Sequence, residues 1–162
     1  MIVTVFIVLV LAACVVAVHY LVMHQLASRF VRFADERVRW VVAGLMMLIA
    51  AHALEIVIFS SGYLILDFWM DDSGLLGSNA TELWDYVYFS AMTYTTVGYG
   101  DYYPIGELRA VAAIEAIVGL LMIAWSGAFS VYFLQRSWAR YADFRDGKEN
   151  SDKHYLQGKE VP

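Results

Sequence analysis

The sequence predicts an all-α integral membrane protein, with three membrane-crossing helices and a short re-entrant helix that enters the bilayer without crossing it. Three observations lead there. Of the 162 residues, 60% are hydrophobic and 17% charged, and the mean hydropathy is +0.57, too apolar for a soluble domain of this size. Three apolar stretches, Ile2 to Met23, Val41 to Leu66 and Leu108 to Leu134, are long enough to cross hydrocarbon as helices, the first reaching roughly 33 Å at helical rise. A fourth, Leu83 to Tyr94, is too short to span.

The charges then set the orientation. Arg29, Arg32, Arg37 and Arg39 lie between the first two spans, and Arg136, Arg140, Arg145, Lys148, Lys153 and Lys159 follow the last, which places both segments in the cytoplasm. Arg109 falls on the opposite side with Asp67, Asp71, Asp72, Glu82, Asp85, Asp101 and Glu107, an acidic face that attracts cations. With three spans, the N-terminus is then outside and the C-terminus inside.

Taken in order, residues 1–40 hold the first span and a segment, Gln25 to Trp40, that suits an interfacial helix. There Phe30, Phe33, Val38 and Trp40 alternate with arginines. Arg29 and Arg32 lie outside any span beside Asp35 and Glu36, so they do not make a voltage-sensing ladder. Cys14, the single cysteine, reads as a small packing residue, and its Leu-Ala-Ala-Cys setting lacks the cationic leader of a lipoprotein signal. The second helix is bracketed by Trp40 and Trp69 and followed by a turn-rich external loop. Asn79 or Thr81 is expected to cap the short helix, with Glu82 in its first turn. Residues 136–162 form a charged tail, too short and polar for a ligand-binding domain and expected to extend the last helix.

At the end of the short helix stands Thr95-Thr96-Val97-Gly98-Tyr99-Gly100-Asp101. A cation sheds its water only where oxygens replace it at similar distance, and an extended strand whose carbonyls face one axis supplies them. Turning successive carbonyls the same way forces alternation between ordinary and positive φ, which glycine tolerates, so Gly98 and Gly100 fall where that freedom is needed. This stretch resembles the selectivity filter of the potassium channel pore family, and the resemblance runs from about Val41 to Leu134, with Tyr102-Tyr103-Pro104 after the filter.

The resemblance implies a pore domain over residues 41–135 in which potassium is bound by the carbonyls of Thr96, Val97, Gly98, Tyr99 and Gly100 and by the Thr96 hydroxyl. Val97 and Tyr99 then pack outward as a cuff, and Thr95 and Asp101 support the filter from either end. It further implies a homotetramer, because one chain supplies a quarter of a filter and irregular backbone survives at membrane depth only when enclosed. Leu121, Ala124, Ala128 and Tyr132 would line a cavity below the filter, with Tyr132 as a gate candidate. Gly119 and Gly127 are hinge candidates, with close helix packing the alternative at each. The family often holds the filter aspartate with a pore-helix carboxylate or tryptophan; here that stretch offers Met92 and Tyr88. The first helix is an addition to the minimal two-helix pore.

His52, Glu55 and Glu115 fall within spans, where an ionisable group must be paired, protonated or wetted. The three are expected to meet behind the short helix, as a structural brace, a proton-sensitive element or, more weakly, a metal site. His19 and His24 receive no role. The sequence thus points to a passive potassium channel subunit rather than an enzyme, needing no cofactor beyond its permeant ion. It would work in a plasma membrane, the bacterial inner membrane best fitting so compact a chain, with three identical subunits and lipid as partners, no nucleic acid, and room for a regulatory partner. The alternatives are a potassium-uptake transporter subunit and a non-conducting or regulatory membrane protein that keeps the pore fold.

Overall fold

The computed structural model describes residues 1–32, 37–70, 72–77 and 82–157. Among the described residues, four helices, α1 (Ile2–Arg32), α2 (Arg37–Trp69), α3 (Leu83–Tyr94) and α4 (Leu108–Gln157), carry most of the chain, and two short strands, β1 (Gly74–Gly77) and β2 (Tyr102–Ile105), flank α3. Three stretches among the described residues are long and apolar enough to cross a membrane: Ile2–Ser28, Val41–Trp69 and Leu108–Tyr132. The chain forms two compact units, Met1–Ser126 and Gly127–Pro162. In the second, α4 continues to Gln157, and Val131 and Tyr132 are exposed.

Each long helix of the first unit is apolar nearly all round, yet buries a single stripe at steps of three and four residues. On α1 the stripe is Thr4, Val8, Val15, His19 and Met23; on α2 it is Leu48, Ala51, Glu55, Phe59 and Leu66; on α4 it is Leu108, Val111, Glu115, Met122 and Ser126. Helices α1 and α2 run antiparallel. Gly62 faces Leu11 near one end, His19 meets Glu55 in the middle, and Gly44 faces Leu26 towards the other. Lipid tails are as apolar as the side chains, so burial from water does not hold these stripes together. Close van der Waals contact and interhelical hydrogen bonds do, and small residues at the seam permit both.

Helix α3 buries Tyr86, Phe89, Ser90 and Tyr94 against this framework. Its N-cap is Glu82, whose N–H donates to the Asp85 carboxylate at 3.0 Å. That corrects the expected capping. Glu82 precedes the first turn rather than lying in it, while Asn79 and Thr81 fall outside the described residues. At the other end Gly119 of α4 comes so close that an added Cβ would lie 2.3 Å from the Tyr94 carbonyl oxygen, so close packing is sufficient to explain that glycine. An added Cβ on Gly127 meets nothing within 4 Å.

Three further expectations are revised. Residues Gln25 to Arg32 continue α1 and Arg37 to Trp40 begin α2, so the segment between the spans is not a separate interfacial helix; Phe33 lies outside the described residues. Cys14 is exposed on α1 instead of packed within the chain. The all-α pattern is interrupted by an antiparallel ribbon, with Leu75 paired to Pro104 and Leu76 to Tyr103, which fastens the loop after α2 to the chain that follows Asp101. The ribbon is closed by Ser73, whose hydroxyl accepts from the Glu107 N–H at 3.0 Å, and by Gly106 at φ +59°, where a Cβ would meet Ser73 Oγ at 2.4 Å.

The packing of Gly119 yields a test. Gly119→Ala should cost roughly 1–3 kcal/mol through overpacking against backbone that cannot swing away, whereas Gly127→Ala should fall within about 0.5 kcal/mol of the parent. Unfolding of the purified protein in mixed detergent measures both.

Candidate functional site

The segment after α3 is built from the helix end outward. The Thr95 N–H and hydroxyl both donate to the Ala91 carbonyl, at 3.1 and 2.7 Å; the Thr96 N–H donates to Thr93 and the Gly98 N–H to Met92, at 3.0 and 3.2 Å. Three carbonyls that a helix C-terminus leaves unpaired are thereby satisfied, and the chain is turned sharply out of the helix. Thr96, Gly98 and Gly100 then take φ values of +59°, +52° and +80°, so left-handed backbone recurs at every second residue. Thr96 is the one non-glycine residue in that conformation among the described residues, a strained state for a β-branched side chain.

The whole stretch from Thr95 to Asp101 is exposed in the single chain, with Val97 at 51% and Tyr99 at 73%. Added Cβ atoms on Gly98 and Gly100 meet nothing within 4 Å. One chain therefore presents this backbone without enclosing it. Leu121 and Ala124 in the first unit, and Ala128 and Tyr132 in the second, are likewise exposed.

At the far end of the stretch the Tyr88 hydroxyl donates to Asp101 Oδ2 at 2.9 Å, so of the two candidates Tyr88, not Met92, is the partner of that aspartate. That hydrogen bond raises the Tyr88 phenol above its ordinary pKa. The Tyr88 ring meets Tyr102 edge-on at 5.8 Å, and the Tyr102 hydroxyl donates to Asp85 Oδ1 at 3.1 Å. Tyr86 donates to Asp67; burial first, then that bond, pushes the Tyr86 phenol up to about 12. Aromatic hydroxyls thus tie α3 to the end of α2, to Asp101 and to Tyr102.

Behind the helix-proximal end of the stretch the polar residues within the spans gather into two groups rather than one. Glu115 is bonded to Tyr63 and to Ser90, whose hydroxyl lies 2.5 Å from Glu115 Oε1 and 2.9 Å from the Ile56 carbonyl. Glu55 accepts from Tyr94, and its carboxylate lies 2.8 Å from His19 Nδ1 and 3.2 Å from His52 Nδ1. The other nitrogens of both rings converge on Ser126, with His52 Nε2 at 3.0 Å and His19 Nε2 at 3.2 Å from its hydroxyl. The result is a closed ring, Glu55–His19–Ser126–His52, drawn from α1, α2 and α4, with Tyr94 joining it from α3. His19, Glu55 and Glu115 are wholly buried.

Two expectations change here. Glu115 belongs to a separate cluster from His52 and Glu55, and His19, given no role from sequence, is central. The overlooked signal was phase: on a helix that is apolar all round, Thr4 and His19 share the stripe of Val8 and Val15, so the polar residues mark the face that packs.

A segment of alternating left-handed backbone follows a short helix set between two apolar helices long enough to cross a membrane, the features of an integral membrane protein. A model of the family described as ion channel matches residues 46–136, more than half of the chain. The chain belongs to that family, whose pore is of the potassium-channel type. It is also similar to protein LctB of Geobacillus stearothermophilus, 34% identical over 78 residues that cover 48% of this chain and 57% of the relative. Protein LctB of Bacillus caldotenax is 52% identical over 40 residues, 25% of this chain and 30% of the relative. The chain thus spans less than two thirds of either relative's length. No solved structure matches it.

The Glu115 cluster should register in stability. Ser90→Ala and Tyr63→Phe each remove one donor from a buried carboxyl group, and each should cost roughly 0.6–1.7 kcal/mol, the range for interhelical hydrogen bonds in membranes. The detergent unfolding midpoint reports it.

Proposed function

We propose that four copies of this chain enclose a shared axis and pass potassium ions passively along it, down their electrochemical gradient. The ions are held by the carbonyls of Thr96, Val97, Gly98, Tyr99 and Gly100 and by the Thr96 hydroxyl. The observation that carries the reading is the alternation of left-handed backbone at Thr96, Gly98 and Gly100 in a stretch that one chain leaves wholly exposed. Such backbone persists at membrane depth only when neighbouring protein covers one side and a hydrated path the other. Symmetric copies supply both at once.

In that assembly Val97 and Tyr99 pack against neighbouring subunits, while Leu121, Ala124, Ala128 and Tyr132 face the path below the filter. The arginine-rich segment between α1 and α2 and the basic tail lie in the cytoplasm, the N-terminus outside, and the acidic loops around Asp67, Asp85 and Asp101 concentrate cations at the mouth. The membrane is the plasma membrane of a bacterium. Selectivity comes from rigidity of the cage, and rigidity from its braces: Tyr88 on Asp101 outside, Tyr94 and the turn onto Ala91, Met92 and Thr93 inside.

Flux into proteoliposomes tests the reading. Potassium uptake well above sodium uptake, blocked by barium and lost in Gly98→Ala, is the expected outcome. The substitution meets no clash in the single chain and acts through its strained φ. Equal potassium and sodium flux, or none across a range of voltage, would sink it. Tyr88→Phe removes one hydrogen bond of roughly 0.5–1.5 kcal/mol from the outer brace. Potassium currents should start normally and decay several-fold faster under sustained voltage; an unchanged decay would show that Asp101 is held by other means.

A further inference from the structure

We propose that His19, His52 and Glu55 form a binding site for a divalent transition metal of the zinc class, set within the helix bundle and separate from the potassium path. The three residues come from α1 and α2, and their ligand atoms all lie within 4.8 Å of one another. Both imidazoles turn the same nitrogen, Nδ1, towards the same carboxylate, at 2.8 and 3.2 Å. A tetrahedral zinc ion with bonds of about 2.0–2.1 Å needs its ligand atoms about 3.3 Å apart. The His–Glu distances of 2.8 and 3.2 Å lie just below that and the 4.8 Å outer limit of the set above it, so rotation of the two rings about their side-chain bonds is what admits the ion. Tyr94 provides a fourth oxygen beside the set. Its hydroxyl is bonded to Glu55 and lies 2.9 Å from His52 Nδ1.

The surroundings of the rings favour a metal over a merely packed polar cluster. A metal-bound imidazole carries its proton on the far nitrogen and needs an acceptor there. Here both far nitrogens point at one hydroxyl, Ser126 Oγ, which has two lone pairs and one proton. When Ser126 accepts from both Nε2–H groups, both Nδ1 atoms turn their lone pairs towards Glu55, as metal ligation requires. A ring that carries its proton on Nδ1 instead donates to Glu55, and a bound metal displaces that proton. The donor set is two nitrogens and a carboxylate oxygen, which suits zinc, cobalt or nickel and not magnesium or calcium, which favour oxygen ligands alone. His52 retains 21% side-chain exposure, while His19 and Glu55 have none, so an ion enters on the His52 side. Because Tyr94 immediately precedes the filter segment, occupancy would clamp α1 and α2 to the base of the filter.

The test uses the tag-free full chain in detergent, stripped with chelator and titrated with cobalt(II), then zinc(II). The expected result is one metal per chain, the intense visible absorption of four-coordinate cobalt, and its loss when zinc displaces it. His19→Gln should abolish the absorption. A chain carrying His24→Gln and His154→Gln, which keeps only the two clustered histidines, should retain it. Ser126→Ala should weaken binding roughly 10- to 100-fold, as loss of a partner to the ligands does. No cobalt absorption and no zinc uptake by the parent chain would overturn the proposal, as would full binding by His19→Gln. Should His19→Gln fail to assemble, X-ray absorption of the zinc-loaded parent decides. Two imidazoles at the metal support the site, and fewer than two overturn it.

Discussion

A carboxyl group in hydrocarbon has no water to fall back on, and the placement of every helix in the first unit follows from how Glu55 and Glu115 are satisfied. Glu55 draws on His19 from α1, His52 from its own helix and Tyr94 from α3; Glu115 on α4 draws on Tyr63 from α2 and Ser90 from α3. Removing one donor strands a polar group at a depth where nothing replaces it. In a membrane, where apolar side chains gain little by choosing each other over lipid, such bonds decide which face of a uniformly greasy helix turns inward. The apolar contacts then follow the polar ones: Val8, Val15, Phe59 and Leu66 lie on the same stripes as the groups that bond.

That ordering explains which parts of the fold the sequence made legible. Span positions depend on local hydropathy alone. The expected spans fall within helices α1, α2 and α4, and the short helix from Leu83 to Tyr94 has the bounds that its apolar run gave. Which side of a span packs depends instead on partners distant in sequence, and a helix with no polar face gives hydropathy nothing to measure. His19 meets Glu55 across 36 residues and Ser126 across 107, and the phase it shares with Thr4 marks the packing face of α1 without naming either partner. The ribbon was hidden for a different reason. Each strand is four residues long, one contains a proline and the other begins and ends with glycine, so neither has the β-branched alternation by which strands are recognised.

The candidate site divides along the same line. The need for positive φ at Gly98 and Gly100 is a property of the local chain and could be argued from glycine alone. The same conformation at Thr96 could not, because nothing in a threonine side chain favours it. It is imposed by the turn that directs the Thr96 and Gly98 amides back to Thr93 and Met92. Tyr88 was legible as one of two choices for Asp101, and geometry selects it because its hydroxyl reaches where the Met92 thioether offers only a weak acceptor.

The first helix presents a problem of its own, since the ion-channel family match begins at residue 46 and leaves α1 out. A helix added to a complete pore need only be tolerated, and lipid-facing contacts would do for that. Yet α1 contributes His19 to a carboxylate that otherwise has its donors from α2 and α3, and seats Leu11 against Gly62 at the level of Tyr63. These are contacts of a structural member. The helix-proximal end of the Thr95–Asp101 stretch is therefore braced from behind by a helix outside the residues matched to the family, through Glu55 and Tyr94, while its far end is braced by Tyr88 and the ribbon. Two supports of unlike chemistry, one buried and imidazole-rich, the other an exposed phenol on an aspartate, hold the two ends of one seven-residue stretch. A change at either end is thus felt by the same backbone, and α1 gives that stretch a support that lies outside the residues matched to the family.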